Sequence, residues 1–199
     1  MKQYNIRIEM KNFKSTITAI MILLTTLSAS AKKDKSPVVI TKEISINTII
    51  EKAWKVLGIE FADAYKWASS IKHSQANDNT SFNGSTCSER GCDVSGIGKI
   101  KEKITKYSDT EHVLSYDVYE GMPKMVRYMN NYWKLTDLGN GNIKLEMKMT
   151  MKIGGFMGWM MKGMMKKKMS KTADEIIEEF KYYVENGNPH PRVIKAKKK

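Results

Sequence analysis

From residue 142 to 153 apolar and polar positions alternate without a break: Ile143, Leu145, Met147, Met149, Met151 and Ile153 stand against Lys144, Glu146, Lys148, Thr150 and Lys152. A period of two over this length predicts a strand with one buried and one wet face. The same period predicts strands over 38–46, 71–76, 86–94, 99–107, 112–120 and 125–137. The breaks between the later strands (NDN and NG, SGIG, SDTE, GMP, LGNGN) are turn chemistry. Connections this short join antiparallel neighbours, because parallel ones need long crossovers.

Helical spacing appears twice. After the first strand, Asn47 is positioned to cap a helix over 48–57 with Ile50, Ala53, Trp54 and Leu57 on one face and Gly58 as its stop. A short helix over 61–68 follows, aligning Phe61, Ala64, Tyr65 and Ala68. After the last strand, 156–185 reads as one long helical stretch, closed by Asn186-Gly187 with Pro189 beyond. On a helical wheel this stretch carries two apolar stripes. Met157, Met160, Met161, Met164 and Met165 form the first; Met169, Ala173, Ile176, Phe180, Tyr183 and Val184 form the second, rotated by roughly 120°. One straight helix cannot press both on one surface, so a bend or a separate first segment is expected. Gly154, Gly155, Gly158 and Gly163 favour the separate segment. The resulting class is α+β: a curved seven-stranded antiparallel sheet wrapped on a long C-terminal helix, with two short helices after strand 1.

Composition refines the ends. Lys2, Arg7, Lys11 and Lys14 precede an uncharged apolar run over 17–27 and Ala29-Ser30-Ala31, the pattern of a signal peptide over residues 1–31. The expected locations are therefore periplasmic or secreted. The chain's net charge is +13; without residues 1–31 it keeps 168 residues and a charge of +10. Residues 32–187 form the expected domain, and 188–199 read as a basic, mobile tail. Such a charge favours anionic partners. The lysine-methionine run KGMMKKKMSK over 162–171 reads either as a solvated helix face or as a contact with an anionic membrane surface. No aromatic-plus-basic strand motif accompanies the charge, so no nucleic-acid partner is expected.

Candidate chemistry is sparse. His73, His112 and His190 are scattered, without the HxH or HExxH spacing that gathers a metal, and neither a GxSxG elbow nor a complete P-loop is present. No metal or cofactor is expected. Cys87 and Cys92 read either as a disulfide closed by a turn or as two separate strand thiols. Lys99, Lys101 and Lys103 share one face of their strand, which puts Glu102 with Ile100 and Ile104 on the inward side. An inward carboxylate needs a partner, with Arg90, Arg127 or a tyrosine hydroxyl as candidates. Met147, Met149 and Met151, with the first helical stripe, would supply a deformable apolar surface, and Phe156 and Trp159 would stand near its entrance.

Four clusters carry a resemblance. IxxxxIEKAWKVL (46–57), GKIKEKI (98–104), HVLSYDVYEGMPKMVRY (112–128) and IIEEFKYYVENG (176–187) make the chain resemble the START-like, or SRPBCC, superfamily, with its polyketide cyclases, lipid-transfer domains and plant hormone receptors. The resemblance implies a helix-grip fold with a cavity between sheet and helix. Position by position it implies that Glu102, Tyr116, Val118, Tyr128 and Asn130 face the cavity, with Gly121-Met122-Pro123 at its mouth. The expectation is an exported carrier of an apolar, lipid-like or polycyclic molecule, in a void of several hundred Å³ on the usual scale of such sites. It would be floored by the Met147, Met149 and Met151 face and roofed by the methionine segment. The alternative is a cyclase or dehydratase with Glu102 as general base.

Overall fold

The computed structural model describes residues 36–198; the expected signal peptide lies outside the described residues. The strands are β1 (Val38–Asn47), β2 (Ile71–Ala76), β3 (Glu89–Val94), β4 (Gly98–Ser108), β5 (Val113–Glu120), β6 (Val126–Gly139) and β7 (Asn142–Ile153). They form one antiparallel sheet in the order β1-β7-β6-β5-β4-β3-β2, so the first strand closes against the last while its sequence neighbour lies at the far edge. Alternation decides each strand's faces. In β7, Ile143, Leu145, Met147, Met149 and Met151 are all buried while the residues between them are not. Register shifts in the β4–β5 pairing fall between Lys101 and Glu102 and between Ile104 and Lys106. Shifts of this kind bend a sheet locally.

The corner after β1 departs from the expected pair of helices. The α-helix α1 is short, Ile50–Trp54, and runs into a π-helical turn, Lys55–Ile59, then a 3₁₀ segment, Phe61–Lys66. Asn47 does not cap it; Ile49 holds the cap position without a side-chain bond, and the Asn47 amide donates to Glu185 Oε1 at 2.8 Å. Gly58 lies inside the wide turn instead of ending the helix. The Trp54 ring lies against it, and a β-carbon there would collide with the indole.

The long helix α2 is continuous over Gly155–Asn186, and Gly187 closes it in the left-handed conformation (φ 71°) with its amide donating to Tyr183 O. It is therefore not two segments. The two stripes are reconciled differently: one helix buries one side, and much of the first methionine stripe faces outward. Ala173, Ile177, Phe180 and Val184 are buried, whereas Phe156, Met157, Trp159, Met160 and Met164 are exposed. Among the described residues no helix is long and apolar enough to cross a membrane.

The C-terminal residues are not a free tail. Helix α3 (Pro191–Lys197) opens with proline in its first turn, and His190 Nδ1 accepts the Arg192 amide at 3.1 Å. Val193 is fully buried. Arg192 Nε donates to Glu179 Oε1 at 2.9 Å, and Glu179, itself fully buried, also accepts from Ser69 N at 2.9 Å and Ser69 Oγ at 2.7 Å.

Candidate functional site

The inner face of the sheet carries a polar cluster in an apolar setting. Alternation along β3 and β4 turns Arg90, Cys92 and Glu102 inward, and β5 adds Tyr116 beside them. Arg90 and Glu102 stand opposite each other in the β3–β4 register. Arg90 Nε donates to Glu102 Oε2 at 2.5 Å, with both side chains about 5% exposed (5% and 6%). Arg90 Nη1 also donates to Phe61 O, and the guanidinium lies 4.0 Å from the centre of the Phe61 ring and 4.9 Å from that of Tyr116. The 3₁₀ corner thus closes over the ion pair from above. Burial is the largest single influence and opposes the guanidinium's charge. The charge and hydrogen bond of Glu102, together with Cys92 and Tyr116, outweigh it, and Arg90 holds its proton more tightly than an ordinary arginine.

The groups around this pair are a thiol, a phenol and two indoles. The Cys92 thiol donates to Glu102 Oε2 at 3.3 Å. Burial above all pushes Cys92 up to about 12; Arg90 works against that shift and Glu102 adds to it. Burial likewise raises Tyr116, whose hydroxyl accepts the Trp133 indole N–H at 3.3 Å. Trp67 stands between sheet and helix, its ring 5.2 Å from Phe180 and 6.5 Å from Trp133. Its Nε1 is buried and has no hydrogen-bond partner among the described residues. Phe61, Trp67, Arg90, Leu114, Tyr116 and Trp133 help line a void of about 10 Å³, roughly the space of one water.

This geometry sorts the sequence expectations. Glu102, Tyr116, Val118, Met147 and Met149 all lie on the inner face and are buried. Tyr128 and Asn130 do not share that face. Tyr128 pairs in register with Lys152, whose ammonium lies 5.6 Å from its ring, and Asn130 donates to Asp117 Oδ1 at 2.7 Å. The inward residues of β6 are Met129, Asn131, Trp133 and Leu135. Met147, Met149 and Met151 do not floor an open pocket; they are core, 2%, 4% and 1% exposed. Trp159 is 43% exposed on the outer side of α2, stacked near Phe156. The sequence reading missed Trp67 and Trp133 as members of the site. Trp133 had a signal, since it shares the parity of Leu135 on β6.

Cys87 and Cys92 are separate free thiols, so the disulfide is not formed. Cys87 lies in the loop before β3, not in a strand, and both are buried. Neither is expected to react with a thiol reagent until the protein unfolds, which a timed labelling experiment with and without denaturant checks. The Cys92 shift also has a sign. Only the unfolded chain ionises this thiol between its ordinary value of 9.0 and about 12. Its contribution to stability is full below that window and is lost as pH rises through it. Thermal midpoints measured upward from neutral pH should fall on the alkaline side, with a shallower fall in Cys92→Ala.

The open antiparallel sheet, the gripping C-terminal helix and the enclosed polar cluster define a helix-grip protein of the START-like class. The chain belongs to the family described as polyketide cyclase / dehydrase and lipid transport, which matches residues 37–185. Solved structures share the fold at low identity. A START superfamily protein from Mycobacterium smegmatis is 15% identical, with a TM-score of 0.61 over 75% of this chain and 99% of that one. Truncated norcoclaurine synthase from Thalictrum flavum is 11% identical, with a TM-score of 0.59 over 75% and 94%. A protein from Thermus thermophilus is 12% identical, with a TM-score of 0.58 over 79% and 98%. No curated protein matches the chain in sequence.

Proposed function

We propose that the protein is a carrier that holds an apolar molecule bearing an oxygen acceptor between the sheet and α2. The observation that carries this reading is the unpartnered, buried Trp67 indole N–H in the wall of the same void as Arg90 and Tyr116. A buried donor left unmatched costs about 1–3 kcal/mol, and a guest's carbonyl or carboxylate would relieve it. Binding is favoured over general-base chemistry because Glu102 Oε2 already accepts from Arg90 and Cys92. A void of about 10 Å³ admits no lipid-sized guest, so loading requires α2 to lift from the sheet. Its N-terminal half is the part that moves at least cost: before Ala173 only Gly158 of the helix is buried.

A fluorescent fatty acid tests the reading. Wild-type protein should take it up, and organic extraction of the purified protein should release an apolar compound. Trp67→Phe keeps an aromatic ring but removes the donor, and should weaken fatty-acid binding about fivefold, the worth of one hydrogen bond. A hydrocarbon probe should be unaffected by that change. Failure to take up either probe overturns the reading. The carrier is further proposed to be exported, supported by the basic, apolar and small-residue succession over residues 1–31. Amino-terminal sequencing of protein recovered from the host's envelope or medium should then begin at Lys32.

A further inference from the structure

The outward side of α2's first half is unlike an ordinary solvated helix face. Phe156, Met157, Trp159, Met160 and Met164 are 62%, 52%, 43%, 58% and 61% exposed. At about 100° per residue they occupy one broad side of the helix, opposite Gly158, which is seated against Ile153 and Met125. Lys167 and Lys171 continue the same side toward the C-terminus, with Lys166 and Lys168 flanking it, and all four are exposed. From residue 147 to 173 the chain carries seven lysines and no acidic residue. The adjoining 121–125 loop is anchored to the helix start by Gly154 N donating to Met125 O at 2.8 Å, and the loop and the start of β6 bring exposed Lys124 and Arg127 to the same end.

We propose that this face docks in the plane of an anionic phospholipid bilayer. Its apolar turns would enter the headgroup–acyl boundary while the lysines meet lipid phosphates. Charge selects this occupant. A second copy would bring the same lysines face to face, Lys171 being the one of the four that meets a carboxylate of its own helix (Glu175, 3.8 Å), whereas an anionic surface complements them. The inference stands apart from the carrier reading, because no residue of the inner cluster takes part in it.

Flotation of the full chain with phosphatidylcholine vesicles, with and without phosphatidylglycerol, tests it. Every variant keeps the same N-terminal segment, so differences between variants report this face alone. Wild-type protein should bind the phosphatidylglycerol vesicles more tightly, and high salt should weaken that binding. Neutralising Lys166, Lys167 and Lys168 together to glutamine should lower affinity on the order of a hundredfold. Met160→Gln with Met164→Gln should lower it on the order of tenfold; both sites are exposed, so folding is spared. Trp159 is the exposed tryptophan, against Trp54, Trp67 and Trp133 at 3%, 6% and 2%; its emission should shift to the blue on binding in wild type and in Trp67→Phe alike. Equal binding to both vesicle types, or unchanged binding by the lysine variant, overturns the proposal. So does protein that ignores vesicles but dimerises through Met160 and Met164. Fatty-acid affinity measured at equilibrium without vesicles should stay at the wild-type level in the lysine and methionine variants, which separates this result from the carrier reading. Their exchanged side chains are exposed and do not line the inner void.

Discussion

Glu102→Gln is expected to destabilise the protein by about 3–5 kcal/mol, the usual cost of removing one member of a buried ion pair. The substitution keeps the side chain's shape and deletes its charge, leaving the Arg90 guanidinium 4% exposed and without its counter-ion. The Phe61 carbonyl and the two aromatic rings that remain are dipoles and quadrupoles, not charges. Replacing both partners by apolar residues of similar volume, Arg90→Met with Glu102→Leu, should recover most of the loss, since neither residue then carries a desolvated charge. Urea unfolding of the two single variants and the double gives the coupling directly. A single variant within about 1 kcal/mol of wild type would contradict the enclosure of the pair. The result also bears on enzymology. A Glu102→Gln protein that loses activity because it unfolds would look like one that lost its base, so stability must be measured beside turnover.

Deleting residues 188–199 should cost about 3–5 kcal/mol, adding the exposure of Val193 to the loss of a charged hydrogen bond at Glu179. A mobile basic tail would come off without effect. Here its removal uncovers Val193, which has no exposed surface, and takes Arg192 from a carboxylate equally buried. Glu179 would be left with the Ser69 amide and hydroxyl alone. Arg192 itself is 36% exposed, so solvent weakens its share and the figure belongs to the lower part of the range. Hydrogen exchange at the Ser69 amide should quicken in the truncated protein, and Val193→Ala should reproduce part of the loss with the charge pair intact.

Much of the architecture was legible because alternation is a strong signal wherever one face is buried. β7 shows it without a break, and β4 shows it through three lysines around Glu102. The inward placement of Glu102 followed from that parity. The need of a buried charge for a partner narrowed the choice to Arg90, Arg127 or a tyrosine hydroxyl, among which the strand register selects Arg90. On β6 both faces carry aromatic rings: Tyr128 and Tyr132 on one, Trp133 on the other. Position-by-position transfer from the resemblance put Tyr128 and Asn130 inside, while the parity of Met129, Trp133 and Leu135 puts them outside. The helix corner was less legible. A π turn around Gly58 depends on how the Trp54 ring lies across it, a contact that no propensity encodes. The C-terminal helix escaped because its lysines outnumber its buried residues; Val193 is the one that docks it.

The two methionine stripes teach a related lesson. Periodicity reports that residues share a side of a helix, not that the side is covered.

The closure of β1 on β7 sets a temporal condition on folding. Val38 pairs with Met151 and Ile46 with Ile143, contacts spanning most of the domain, and Lys42 bonds Asp174 beyond them. Contacts this distant in sequence slow folding, because the loop entropy is spent before the contacts form. On a ribosome the first strand therefore waits, unpaired at its β7 edge, until Asn142–Ile153 has emerged. Under the export proposed above, a chain threaded across a membrane in extended form would benefit from that delay, which this sheet order imposes by itself.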